Sequence, residues 1–373
     1  MKYEADNKII EKALGQFFYK CDGVVGAEAN YQAMLASELE DVFPGRVRRE
    51  RKLAQTGRGG VDVIVLGMEE NPDYVFELKG GAYNSRNALQ DVFSPAGVCQ
   101  DMQKLSKLSI APDRRWLVAV DAVELGRSLS YRQQCNAVEA AAMSGVGFAY
   151  FGHGDESFLL AQPGNKVRYP SVCSHRRQAG RSVDLDALLN RGVLERALRS
   201  ASPSVVLEAD VVSVIYRSLS ETGYSTSQIA LETYFGFAPG AMQQRPDICL
   251  FEPPIDGHFN LYPRGNVAES YDTLKLASLR LMVEVKGGVP LLRRKDSTLS
   301  QIYRADIEKL GRWRSIVRKA ATVRSVSELD VTYLVIGADM RTTPLSEDTI
   351  ASISVSAQGH GVQFMYVHMP VEH

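Results

Sequence analysis

Two stretches, YVFELKGG at 74–81 and LRLMVEVKGG at 279–288, decide how this chain folds. Each is an apolar run rich in β-branched and aromatic residues that turns into Glu-x-Lys and stops at Gly-Gly, the pattern of a strand closed by a turn. Alternation along a strand puts Glu77 and Lys79 on one face, and Glu284 and Lys286 likewise. Each stretch follows a second apolar run opened by an acid, GVDVIVL at 60–66 and RPDICLF at 245–251. A hairpin turning through GMEENPD (67–73) sets Asp62 opposite 77–79, and a matching register sets Asp247 opposite 284–286.

Working outward, the likeness continues in order. Downstream stand QDMQKLSKL (100–108) and ADIEKLGRW (305–313), both with Asp-x-x-Lys-Leu. WLVAVDAV (116–123) and TYLVIGAD (332–339) follow, then GVGFAYFGH (145–153) and GVQFMYVHM (361–369). Upstream, AEANYQAML (27–35) and LEADVVSVI (207–215) share Glu-Ala in a helical pattern. One matched segment is commonplace; an ordered series of six indicates tandem duplication.

Each copy reads as helix, three strands, helix, strand, helix, strand. In the first copy these fall near 27–42, 47–54, 61–66, 74–79, 96–108, 115–121, 131–143 and 146–151. In the second they fall near 205–220, 228–235, 247–251, 279–286, 298–320, 331–337, 346–356 and 361–367. That order predicts a mixed central sheet with helices on both faces, so an α/β fold in two domains. The first covers 1–160 and the second 204–373, with 161–203 as a linker whose DLDALLNRGVLERALRS is an amphipathic bracing helix. Residues 252–278 are an insertion in the second copy.

At 373 residues the chain is long enough for two cores, and 45% hydrophobic with 23% charged residues is ordinary for a globular protein. Net charge −1 leaves any grip on nucleic acid to local clusters. Such clusters are Arg46, Arg48, Arg49, Arg51 and Lys52; Arg176, Arg177 and Arg181; Arg293, Arg294 and Lys295; and Arg312, Arg314, Arg318 and Lys319. Each alone reads first as a solvated face. Five scattered cysteines, a start without a basic-then-apolar leader, and no membrane-length apolar run predict a cytoplasmic protein with reduced thiols.

Gathering carboxylates needs a reason, since two of them about 4 Å apart repel by about 4 kcal/mol at an effective dielectric near 20. An oxygen-only cluster suits a hard cation, Mg²⁺ or Mn²⁺, and a lysine beside it can orient a water or stabilise developing charge. Asp62 with Glu77-Leu78-Lys79, and Pro246-Asp247 with Glu284-Val285-Lys286, resemble the motif of the PD-(D/E)XK nuclease superfamily. The first copy has Val61 where the family often has Pro. The resemblance implies two restriction-endonuclease-like domains in which Asp62, Glu77, Asp247 and Glu284 bind metal. It implies that Lys79 and Lys286 serve the attacking water and that Glu28 and Glu208 complete the metal sites. Gln100, Asp101 and Lys104, with Gln301, Asp306 and Lys309, are lesser candidates.

Plainer readings stand beside these. Glu28 and Glu208 also suit a helix surface, and Asp101/Lys104 and Asp306/Lys309 read first as surface pairs at i,i+3. Gly80-Gly81 and Gly287-Gly288 also suit strand ends. His153 and His368 read as matching structural positions, and Phe148, Tyr150, Phe364 and Tyr366 as core aromatics; His175 is a candidate phosphate contact. The functional expectation is a Mg²⁺-dependent DNA endonuclease, its two halves an intramolecular pseudo-dimer that needs no homo-oligomer, with restriction or defence as a setting. The alternatives are one catalytic core beside a DNA-binding one, and a non-catalytic scaffold.

Overall fold

The computed structural model describes residues 2–53, 60–67, 71–80, 98–121, 129–164, 167–172, 180–201, 205–238, 245–253, 255, 266–326 and 330–370. The chain divides into two compact units, Met1–Arg177 and Gln178–His373. Both are mixed α/β, as the strand and helix order predicts.

In the first unit, α1 (Lys2–Cys21) and α2 (Glu28–Val42) precede β1 (Val47–Arg51), β2 (Val61–Leu66) and β3 (Pro72–Gly80). Then come α3 (Val98–Ser106), β4 (Arg115–Asp121), α4 (Tyr131–Ser144), β5 (Gly147–Gly152) and β6 (Leu159–Ala161). The sheet runs β1-β2-β3-β4-β5-β6, antiparallel through β3, parallel from β3 to β5, and antiparallel again at β6. Alternation along β5 sends Phe148 and Tyr150 into a core with Met102 and Leu105 of α3 and Ala137 and Ala141 of α4. Phe151 faces the other way and stacks on Phe18 of α1 at 5.4 Å. Helices therefore cover both faces. Ser130 caps α4 reciprocally with Gln133, and Gly145 ends it at φ +60°.

The second unit opens on a short helical turn, Asp186–Asn190, followed by α5 (Val193–Ala201) and α6 (Glu208–Glu221). It continues with β7 (Ile229–Leu231), β8 (Ile248–Phe251), α7 (Asn266–Ser278), β9 (Leu279–Gly287), α8 (Asp296–Val323), β10 (Thr332–Asp339), α9 (Glu347–His360) and β11 (Gln363–His368). The order β11-β10-β9-β8-β7 and the strand directions repeat the first five strands of the other sheet.

Several expectations shift. The strand expected over 228–235 is only β7, and the insertion contributes α7. The segment read as a linker is shared between the units. Phe158 and Leu160 donate to Pro170 and Arg168, folding that stretch back on the first sheet. Arg181 N bonds Gln228 Oε1 at 3.0 Å and Arg199 bonds the His368 carbonyl at 3.0 Å, tying 181–199 into the second unit. The bracing helix is two pieces, because Gly192 sits at φ +65° between them. The turn residues 68–70 fall outside the described residues, as do Gly81 and His175.

One backbone feature recurs in both units. Glu50 and Glu232 have φ of +51° and +48°, and only one other described non-glycine residue, Ser325, is positive. The ladders Arg49↔Val63 and Leu231↔Ile248 put these glutamates directly across from Asp62 and Asp247. Regular pairing would hold two acids side by side on one face, which is unfavourable. The backbone is left-handed at each of these positions, and both glutamates are exposed.

Candidate functional site

The hairpin registers bring the expected residues together. Val63 pairs with Phe76 and Ile248 with Val283, so Asp62 adjoins Glu77 and Asp247 adjoins Glu284. The Leu78 amide donates to Asp62 Oδ2 at 2.7 Å, and the Val285 amide donates to Asp247 Oδ2 at 2.7 Å. Two sequences that share few side chains here hold the same carboxylate by the same bond.

Helices complete each cluster from both sides. Glu28 and Glu208 are the first residues of α2 and α6. Lys79 Nζ lies 3.7 Å from Glu28 and 3.3 Å from Asp101, while Lys286 Nζ donates to both oxygens of Glu208 at 3.0 Å. The i,i+3 surface pairs do not form. Lys104 instead reaches Glu77 Oε1 at 2.6 Å and Lys309 reaches Glu284 Oε1 at 2.6 Å. Asp306 is buried beside Lys286, Lys309 and Asp247. The crossover helices therefore turn Asp and Lys onto the sheet, a tertiary placement that spacing alone could not reveal. Gln100 and Gln301, by contrast, are exposed.

The electrostatics match in kind. Burial, with Asp62 adding repulsion, pushes the Glu77 carboxyl up to about 8, and burial with Asp247 pushes Glu284 up to about 9. Burial raises Glu28 to about 7 and also raises Asp62, Asp247, Glu208 and Asp306. Burial acts to depress Lys79 and Lys286, but the acids around them, Glu28 and Glu208 foremost, outweigh it and hold both above the usual range.

The copies differ around the aspartate. Gln32 donates to Asp62 Oδ1 at 3.0 Å and accepts from Arg49 at 3.0 Å. The equivalent positions, Val212 and Leu231, are apolar. His153 and His368 are not matching positions either. His368 pairs across from Asp339 where Gly152 pairs with Asp121, so the alignment is one residue out. His153 meets Asp22 at 3.0 Å, and His368 Nε2 lies 2.7 Å from the Arg341 carbonyl oxygen. The aromatics are structural: Tyr150 accepts from the Leu129 amide, Tyr366 from the Leu345 amide, and Phe364 packs on Tyr303.

A hard divalent cation fits the chemistry of these residues. Each cluster has four carboxylates (Glu28, Asp62, Glu77, Asp101; Glu208, Asp247, Glu284, Asp306) against two lysines, an excess of two negative charges when fully ionised. The donors are all oxygen. Glu77 Oε1 and Glu284 Oε1 are buried, each 2.6 Å from a lysine ammonium. Among the described residues no three His, Cys, Asp or Glu groups already stand as a ligand shell. No helix among them is long and apolar enough to cross a membrane.

Comparison of the chain with protein-family models, curated proteins and solved structures finds no match.

Proposed function

We propose that this chain is a metal-dependent phosphodiester hydrolase acting on DNA, with one hydrolytic centre in each unit. The observation that carries the reading is the duplicated cluster. Twice, an aspartate held by the amide following the glutamate, a desolvated glutamate, and a lysine two residues on converge on an interior strand of the sheet. A single buried ion pair needs no function. Two copies that keep six ionisable groups in the same places while neighbours such as Gln32/Val212 diverge point to chemistry.

In the first centre Asp62 and Glu77, with Glu28, would hold Mg²⁺ or Mn²⁺; Asp247 and Glu284, with Glu208, would do so in the second. The bound ion would supply charge neutralisation on the phosphate and acidify a water. Lys79 and Lys286 remain ammonium groups, because their surroundings raise rather than lower their pKa. They therefore act as charged donors that orient a water or steady developing negative charge, and not as bases. Three free thiols, at Cys21, Cys135 and Cys249, suit a reducing cytoplasmic setting.

Supercoiled plasmid incubated with the purified chain tests this. Cutting is expected with Mg²⁺ and not with EDTA, retained in part by Glu77→Gln or Glu284→Gln alone, and lost in the double variant. Cutting that survives the double variant, or never occurs with any divalent ion on any DNA, rejects the proposal.

A further inference from the structure

One basic cluster of the second unit has no part in the chemistry above. Arg293, Arg294 and Lys295 follow β9 after a short helical turn, Val289–Leu291, and all three are exposed. No carboxylate pairs with them among the described residues; the adjoining acid, Asp296, is engaged by Arg341 at 2.6 Å.

The segment is nonetheless held at both ends. At its start Gly288 takes φ +95°, and a Cβ there would meet the Val206 carbonyl oxygen at 2.8 Å. The next amide, Val289, donates to that same oxygen at 2.7 Å, two residues ahead of Glu208. At its end Arg341 Nη1 donates to the Arg294 carbonyl at 3.3 Å. Arg341 is itself fixed by Asp339, whose oxygens lie 2.9 and 2.8 Å from its Nε and Nη2, and Tyr366 donates to Asp339 at 2.5 Å. Burying such a network brings a desolvation cost. Its outward result is that three unneutralised cations stand on a segment whose start is fixed two residues ahead of Glu208 and whose end is fixed by Arg341.

The first copy lacks both parts. The counterpart of Asp339 is Asp121, yet the sequence has Val123 where the second copy has Arg341. Between Gly80 and Gln100 it offers one cation, Arg86. The basic triplet and its anchor are present together or absent together.

We propose that Arg293, Arg294 and Lys295 form a phosphate clamp, by which the second unit grips the backbone of duplex DNA beside its hydrolytic centre. The choice of ligand rests on the nuclease reading; the placement of the charges does not. Each phosphate contact lowers the slope of log affinity against log salt by about 0.9, whatever the base sequence.

The test measures binding of a labelled duplex in EDTA across a salt series. Arg293→Gln/Arg294→Gln/Lys295→Gln should bind on the order of tenfold more weakly or worse near physiological salt, with a slope about 2.7 shallower. Arg293→Lys/Arg294→Lys/Lys295→Arg should retain the slope, and both variants should bind Mn²⁺ as the parent does. An unchanged slope in the glutamine variant overturns the clamp, as does parent protein that binds anionic vesicles but no duplex. If the slope falls as expected while neither protein binds Mn²⁺ or cuts DNA, the clamp stands and the hydrolytic reading fails.

Discussion

Lys104 and Lys309 sit where a cation is wanted. Each places an ammonium 2.6 Å from the buried oxygen of the central glutamate. A metal bound by that glutamate has to tolerate or displace the lysine. Removing one positive charge roughly 5 Å from a divalent ion is worth about 1.7 kcal/mol even at a dielectric near 80. Lys104→Met and Lys309→Met should therefore tighten Mn²⁺ binding by roughly tenfold or more in titration calorimetry. Weaker binding would instead make these lysines organisers of the site. The glutamates give a second prediction. Their folded pKa values, about 8 and about 9, lie above the ordinary 4.5, so the folded state binds more protons between those limits. Their stabilising contribution is complete below about pH 4.5 and is lost as pH rises through 8 to 9. The metal-free melting temperature should fall over that window, and the rise produced by saturating Mg²⁺ should be larger at pH 8.5 than at 5.5. An equal rise at both would place the ion elsewhere.

At the scale of elements, most of what recurs is legible in the sequence, and most of what does not recur is not. β4 was placed to the residue, and β3, β9, α2 and α4 to within two at either end, because strand alternation and caps act locally. The helix α1 lies outside the repeated motifs, although Ile10, Ala13, Leu14, Phe17, Phe18 and Cys21 are buried at helical spacing. The insertion helix α7 and the edge strand β6 likewise lie outside the repeated motifs. The reach of Lys104 and Lys309 depends on how α3 and α8 lie on their sheets, which local sequence does not encode. Nor does it encode the left-handed glutamates. Glu50 and Glu232 occupy a conformation that glycine adopts freely and other residues at a cost. Glu50→Gly and Glu232→Gly should each stabilise the chain by about 0.5–1 kcal/mol, read from the denaturant midpoint at constant slope. A loss of stability would show that the glutamate side chains contribute more than the strain removes.

At the scale of the whole molecule, duplication makes each unit a control for the other. Each unit has its own sheet, its own core and its own set of four carboxylates and two lysines, so cation binding should be countable. The parent chain should bind two Mn²⁺ ions, and Glu77→Gln and Glu284→Gln should each bind one. The double variant should bind none. The two sites should also differ, since the first aspartate is held by Gln32, itself held by Arg49, and the second has Val212 and Leu231 in their place. Exchanging that surround, by Gln32→Val with Arg49→Leu, should shift the affinity of the site that survives in Glu284→Gln and leave the site that survives in Glu77→Gln where it was. One ion per chain that disappears only in the double variant would mean a single shared centre, and with it the end of the view that each unit is a hydrolytic machine in its own right.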